Sequence, residues 1–406
     1  MHHSFFAATL LLFSAGSAFA SNRYVSTVGT DACNTCLSVA TPCLTVQHTI
    51  DQSSSGDIVT VAAGTYTLSG INSFLTVNKT LTFHGAQWGV DARTRSGPES
   101  ILSNEQGINV TVSQVVFDGF TIRDSSNPAY TGYGIWLNPN TDGAQILNNI
   151  FTHNIAGLGL SNLGSTQVLI QHNVFDSNNV AGPASGTGIY TDEYVGGTVS
   201  NVLINENKFT GNANAGIGFS SVDITRQDSN ITVSNNSFDN NGRGMYFYNT
   251  STLNITGNTV TNLSNPTDGG SSTALGLWGN DNGVLVEQNN FESGPKYGIY
   301  LIAGITPDNT NVNIHLNNIF DYAVAGMYVA TAPDSPVAFA TCNWWRSVDG
   351  PSSTVNPDGT GDAVIGDVQL ANFSPWLIGS APDAPCGCGP SFTRVSSMVS
   401  GLSGKP

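Results

Sequence analysis

Apolar and polar residues recur along this chain in short cycles rather than at helical spacing. The segments QILNNIF, VLIQHNVF, VLINENKF, ITVSNNSF, LNITGNTV, VLVEQNNF and VNIHLNNIF each hold a short apolar strand, then an Asn two residues ahead of a large apolar side chain. Alignment on that Asn gives Asn149, Asn173, Asn207, Asn236, Asn258, Asn289 and Asn318, spaced by 24, 34, 29, 22, 31 and 29 residues, with Asp118 and Asn343 as variants at either end. After each unit a Gly opens a further strand signal: GIWL at 134, GLGL at 157, GTGIY at 186, GIGF at 216, GMYF at 244, GLW at 276, GIYL at 298 and GMYV at 326. Three short strands per repeat cannot bury a face alone. Stacked as coils they enclose one continuous core, with parallel strands about 4.8 Å apart from rung to rung. Asn tolerates left-handed backbone geometry, and its amide bonds both to its own turn and to the next Asn in a stack, so the Asn column is read as structural. An open coil end exposes unpaired backbone, and LTVQHTI places Leu44, Val46 and Ile50 as a helix laid across the first coil would need them.

Alternation along the Gly-initiated strands sorts two faces. Ile135, Leu137, Leu158, Leu160, Ile189, Ile217, Phe219, Met245, Phe247, Leu277, Ile299, Leu301, Met327 and Val329 are expected inside. Trp136, Gly159, Tyr190, Gly218, Tyr246, Trp278, Tyr300 and Tyr328 are expected outside, so six of eight outward positions are aromatic, with Tyr248 beside Tyr246. Insertions cluster around these strands: 181–187 and 264–273 precede one, 220–230 and 303–311 follow one. Such insertions build walls, and the expected result is a cleft along one sheet. Two readings of the stripe stand side by side: rings stacking from rung to rung, and rings with polar tips forming a platform for sugars.

Composition narrows the function classes. Charged residues make up 10% of the chain, Gly numbers 45, and the formal net charge is −16. No cluster of Lys and Arg offers a phosphate-binding surface, so a nucleic-acid partner is excluded, and long-range attraction of a polyanion is not expected. The opening MHHSFFAATLLLFSAGSAFA reads as an export signal cleaved near Ala20, with His2 and His3 where basic residues are usual. No other segment is apolar enough to cross a membrane. The six cysteines, Cys33, Cys36, Cys43, Cys342, Cys386 and Cys388, suit an oxidising compartment and disulfides that staple the ends, with connectivity open.

The repeats resemble the right-handed parallel β-helix proteins of the pectin-lyase-like fold. PCLTVQHTIDQSSSGDIVTVAAGTYTL (42–68) looks like the capping helix and first strand of exported members, and CNWWRSVDGPSSTVNPDGTGD followed by SPWL is similar to a closing module found in many of them, with Arg346 where Gly is usual. The resemblance implies an all-β, single-stranded right-handed solenoid: signal 1–20, cap and first strand 21–70, repeats 71–341, closing module 342–379 and tail 380–406. It also implies that the Gly-initiated strands form the sheet that polysaccharide-active members use as their cleft. The paired-Asp and Gly-His-Gly signatures of polygalacturonases, the DPHD stretch of alginate epimerases and the Asp cluster of calcium-dependent pectate lyases are not evident. His153, His172 and His315 show no metal or relay spacing.

Candidate chemistry lies along the stripe. Asp192 and Glu193 follow Tyr190, Asp223 lies one coil later, Arg243 and Lys296 precede Gly strands, and Asp142, Arg226 and Asp281 lie at the edges. Glycosidases need two carboxyl groups, and uronate lyases need a base and a cation. Asp192, Glu193 and Arg243 are therefore the candidate catalytic residues, and Trp136, Tyr190, Tyr246, Tyr248, Trp278, Tyr300 and Tyr328 the candidate substrate contacts. No cofactor is expected; the Asp-Gly loops at Asp142, Asp268 and Asp358 leave calcium open as an alternative, without calcium-ligand spacing to support it. The expectation is an exported protein, secreted, periplasmic or at the cell surface, that engages polysaccharide or cell-surface glycan through the stripe, with cleavage as a lyase or glycoside hydrolase left open. The alternative is a non-catalytic surface, adhesion or structural module.

Overall fold

A computed structural model describes residues 20–67, 74–103, 105–127, 132–330 and 338–387. The expected signal (apart from Ala20) and the tail from 388 lie outside these residues. The chain coils as its repeats require. Its strands form three parallel sheets: sheet I of 13 strands, such as Val168–Gln171; sheet II of 10, such as Val174–Asp176; and sheet III of 11, such as Thr187–Thr191. In the body of the solenoid each strand pairs with those three before and three after it in the chain. Inward side chains therefore stack like on like. Ile146, Ile170, Ile204, Val233, Ile255 and Val286 align in sheet I. Phe151, Phe175, Phe209 and Phe238 form one pile in sheet II, with centroids 4.7–4.9 Å apart and planes within 6°. Each such pair contributes about 0.5–1.5 kcal/mol beyond its buried area. The aliphatic and Phe residues expected inside sheet III are all buried.

Sheet I turns into sheet II through two residues. The first is left-handed: Asn148, His172, Glu206, Asn235, Gly257, Gln288 and Leu316 have φ of 52–65°. The second is the ladder Asn. Asn173 Nδ2 donates to Asn207 Oδ1 at 2.9 Å, and the same oxygen accepts the Asn173 N–H at 2.9 Å. The pattern runs through Asn149, Asn173, Asn207, Asn236, Asn258, Asn289, Asn317 and Asn343. Three expectations need correction. The ladder residue is Asn317, not Asn318, because Ile319 rather than Phe320 pairs with Phe291. Asp118 pairs with Leu147 instead of Asn149, and the ladder stops at Phe120, whose N–H donates to Asn149. The left-handed residue precedes the Asn, whose side chain must aim along the solenoid axis. A second ladder, Asn154, Asn178, Asn212 and Asn241, stands five residues further on, at the turn into sheet III.

Both ends are closed. Helix α1 (Val46–Gln52) buries Val46, Thr49 and Ile50; Thr45 caps its start, and the Lys79 ammonium binds the carbonyls of Ile50, Asp51 and Ser53 at its end. Leu44 precedes the helix and is 42% exposed, not buried as its spacing suggested. At the other end Trp345 and Trp376 are buried, and a Cys342–Cys386 disulfide ties the closing segment down. Arg346 has φ 64°, a geometry that favours Gly; its guanidinium pairs with Asp321 and lies over the Phe320 ring. A second disulfide joins Cys36 to Cys43, and Cys33 is free and exposed.

Candidate functional site

From Tyr133–Leu137 to Ala325–Ala330 the strands of sheet III carry a small residue at or near their start that faces the core. A Cβ on Gly157 or Gly188 would stand 2.7 or 2.8 Å from the ring of Phe175 or Phe209, so the phenylalanine pile requires glycine there. That Gly and the next aliphatic residue both point inward. Outer positions consequently come three apart rather than two, as with Tyr133 and Trp136, Arg243 and Tyr246, and Tyr297 and Tyr300.

The outer column in register is Trp136, Gly159, Tyr190, Gly218, Tyr246, Gly276, Tyr300 and Tyr328. Trp278 was expected in it, but Gly276 holds that place and Trp278 lies two residues later on the same face. Ala274, not Gly276, occupies the small-residue position that pairs with Gly244. Each Gly of the column is covered by a neighbouring ring. A Cβ would meet Trp136 and Tyr133 at 3.0 Å on Gly159, the Tyr246 hydroxyl at 2.5 Å on Gly218, and the Trp278 indole nitrogen at 2.3 Å on Gly276. Trp278 thus folds back over Gly276 and stacks on Tyr246 at 4.6 Å and 12°. Tyr246 is only 5% exposed, so the middle of the stripe does not look outward into an open trough.

The loops do much of the covering. Arg243 is buried, with Nε on the Ser271 carbonyl, Nη1 on Asn214 and Asp268, and Nη2 on Asp268 at 2.8 Å. Its guanidinium lies 5.1 Å from the Trp278 ring and 5.7 Å from the Tyr246 ring. Loop 264–273 is thereby tied to the arginine that lies by these rings. Asp192 Oδ2 accepts the Tyr190 hydroxyl at 2.9 Å, and its Oδ1 accepts the N–H groups of Tyr194 and Val195. The Trp136 indole donates to the Val195 carbonyl at 3.0 Å. Glu193 accepts the Val222 N–H at 3.2 Å, and Asp223 pairs with Arg226. Tyr248 stands edge-on to Trp278 at 5.1 Å, and loop 303–311 packs Gly304 against it. Beyond these loops Tyr297, Tyr300 and Tyr328 cluster at 4.9–5.2 Å, all partly open to solvent.

Burial pushes the hydroxyls of Tyr133, Tyr190, Tyr246, Tyr248 and Tyr297 above their ordinary value, so they stay protonated and act as hydrogen-bonding groups. Burial also opposes ionisation of Asp268, yet its bonds to Arg243 and Gly270 hold it below the usual carboxylate range. In the corner between sheets III and I, burial raises Asp228 to about 8 and raises Asp281 despite three backbone N–H donors. Among the described residues, the one group of three possible metal ligands within mutual reach is Cys36, Cys43 and His48, and its two sulfurs are bonded to each other. Arg243 thus lies against Tyr246 and Trp278, Asp192 against Tyr190 and Glu193 against Val222, and among the described residues no hydrogen bond or ion pair joins Arg243 to either carboxylate. The sequence reading overlooked Asp268 as the partner of Arg243, the rings Tyr133, Tyr194 and Tyr297, and the second Asn ladder. The recurring Asn-x-x-x-x-Asn spacing was a usable sign of that ladder.

A family model described as a right-handed β-helix region matches residues 106–273. Comparison with curated proteins finds no match. Among solved structures, an alginate lyase from Paenibacillus sp. str. FPU-7 is 13% identical with a TM-score of 0.50, covering 86% of this chain and 99% of that one. Pectate lyase Pel9A is 14% identical with a TM-score of 0.48, covering 92% and 98%. The catalytic unit of a GH87 α-1,3-glucanase from Streptomyces thermodiastaticus strain HF3-3 is 16% identical with a TM-score of 0.49, covering 84% and 66%. At these identities the likeness is one of fold: residues 106–273 of this chain carry a right-handed β-helix region, within a solenoid like that of the alginate lyase.

Proposed function

We propose that the protein binds polysaccharide along the outer face of sheet III and acts outside the cytoplasm. The observation that carries the reading is the cluster of Tyr297, Tyr300 and Tyr328, three partly exposed rings on a face whose neighbouring stretch is roofed by loops. Rings with polar tips offer a sugar both apolar contact and hydrogen bonds. The two disulfides support export. The similar structures include enzymes named for alginate, pectate and α-1,3-glucan, but a shared fold does not assign an activity.

Cleavage is the second reading, with Asp192 and Glu193 as acid and base and Arg243 as the cation. Binding without turnover is favoured because Arg243 is committed to Asp268, Asn214 and Ser271, and Asp192 to its own turn. A panel of neutral and acidic polysaccharides tests both. The expected result is retention of at least one, with no new reducing ends or unsaturated products, and binding weakened about tenfold in Tyr300→Ala/Tyr328→Ala with little change in Tm. Product release that Glu193→Gln abolishes would favour the cleavage reading instead.

A further inference from the structure

The inference rests on the glycan-binding reading. Four rings of sheet III lie face to face in pairs: Tyr246 against Trp278 at 4.6 Å, and Tyr297 against Tyr300 at 4.9 Å and 5°. In each such pair one face of either ring is taken up by its partner. A sugar ring packs its C–H groups on an aromatic face, where the ring's electron density lies. Tyr194 differs from its neighbours. It is 81% exposed, and it stacks on no ring among the described residues.

The backbone that carries Tyr194 is held on several sides. Asp192 Oδ1 accepts the N–H of Tyr194 at 2.9 Å and of Val195 at 2.7 Å, and the Asp192 carbonyl accepts the Gly196 N–H at 3.0 Å. The Val195 carbonyl accepts the Trp136 indole at 3.0 Å, and the Gly196 carbonyl accepts the Ser161 hydroxyl at 2.9 Å. Val195 packs with Tyr133, Trp136 and Tyr190, which joins the loop to the stripe. A loop already ordered in this way loses little further entropy when a ligand arrives.

We propose that Tyr194 is a sugar-stacking residue on the side wall of the stripe, and that Asp192 is the positioning residue that aims it. The test uses a polysaccharide that the parent protein retains, with affinity measured by calorimetry and folding by thermal melting. Tyr194→Ala is expected to bind about three- to tenfold more weakly at unchanged Tm. Asp192→Ala should lose the same factor, the Tyr194→Ala/Asp192→Ala double variant no more than either, and Asp192→Asn, which keeps an oxygen acceptor, should restore binding. Additive losses in the double variant would overturn the positioning role. If the parent binds and Tyr194→Ala binds equally well, this inference falls alone. If the parent retains no polysaccharide, the glycan-binding reading falls and takes it along.

Discussion

Asp228 stands where the chain turns from sheet III into sheet I. Its Oδ1 accepts the Val199 N–H at 2.7 Å, and its Oδ2 is buried without a hydrogen-bond partner. Burial raises its carboxyl to about 8, against the pull of the Val199 bond. In the unfolded chain the same group ionises near 3.8. Below that pH both states are protonated and the group has no effect. Between about 4 and 8 the unfolded state alone releases the proton, so stability falls as pH rises. Asp228→Asn should flatten this slope and raise Tm above that of the parent at pH 9; melting curves from pH 4 to 9 check it. The acidic residues singled out from sequence as catalytic, Asp192 and Glu193, were those that follow an aromatic strand. Asp228 escaped notice because its distinguishing property is burial, which only the coiling creates.

At the scale of the element, a ladder position serves three coils at once. Asn207 accepts from the N–H and side chain of Asn173, and donates to the Ile170 and Asn205 carbonyls and to Asn236. Asn207→Ala leaves buried donors and acceptors on both sides unpaired, each worth about 1–3 kcal/mol. A loss of roughly 2–5 kcal/mol is expected in urea unfolding. The ladder was legible because its Asn recurs at a fixed distance from the inward aromatic residue. It slipped by one at Asn317–Asn318, where two Asn adjoin and both Ile319 and Phe320 satisfy the rule. The displacement of Trp278 has a similar origin. Alternation settles which face a side chain takes, but not the count from the start of the strand, and in TALGLW the small residue facing the core is Ala274 instead of a Gly.

Across the whole molecule, stability is a sum of neighbouring coils, so the ends open first. The Cys342–Cys386 bond closes a 44-residue separation, which chain entropy values at about 4 kcal/mol. Cys342→Ala/Cys386→Ala should lower protection of the amides around Trp345 and Trp376 in hydrogen exchange while leaving coils near Phe209 protected. Equal loss along the entire chain would show that the solenoid melts as one unit. The insertions foreseen as cleft walls do flank sheet III, yet loop 264–273 is drawn toward the rings through the Arg243–Asp268 pair. A wall and a roof have the same signature in sequence, since both are extra residues between two strands.

The chain's own pattern determined the coiled β architecture, the inward residues of the Gly-initiated strands, most of the Asn column and the helical cap. All of these follow from short-range periodicity, because each coil repeats the packing problem of the last. Only the tertiary structure decided which rings lie open and which are covered, that Arg243 is bound to Asp268, that Asp192 braces the turn under Tyr194, and that Asp228 is buried. Those outcomes depend on loops of unequal length meeting across coils, where contact is set by the path of the chain in space.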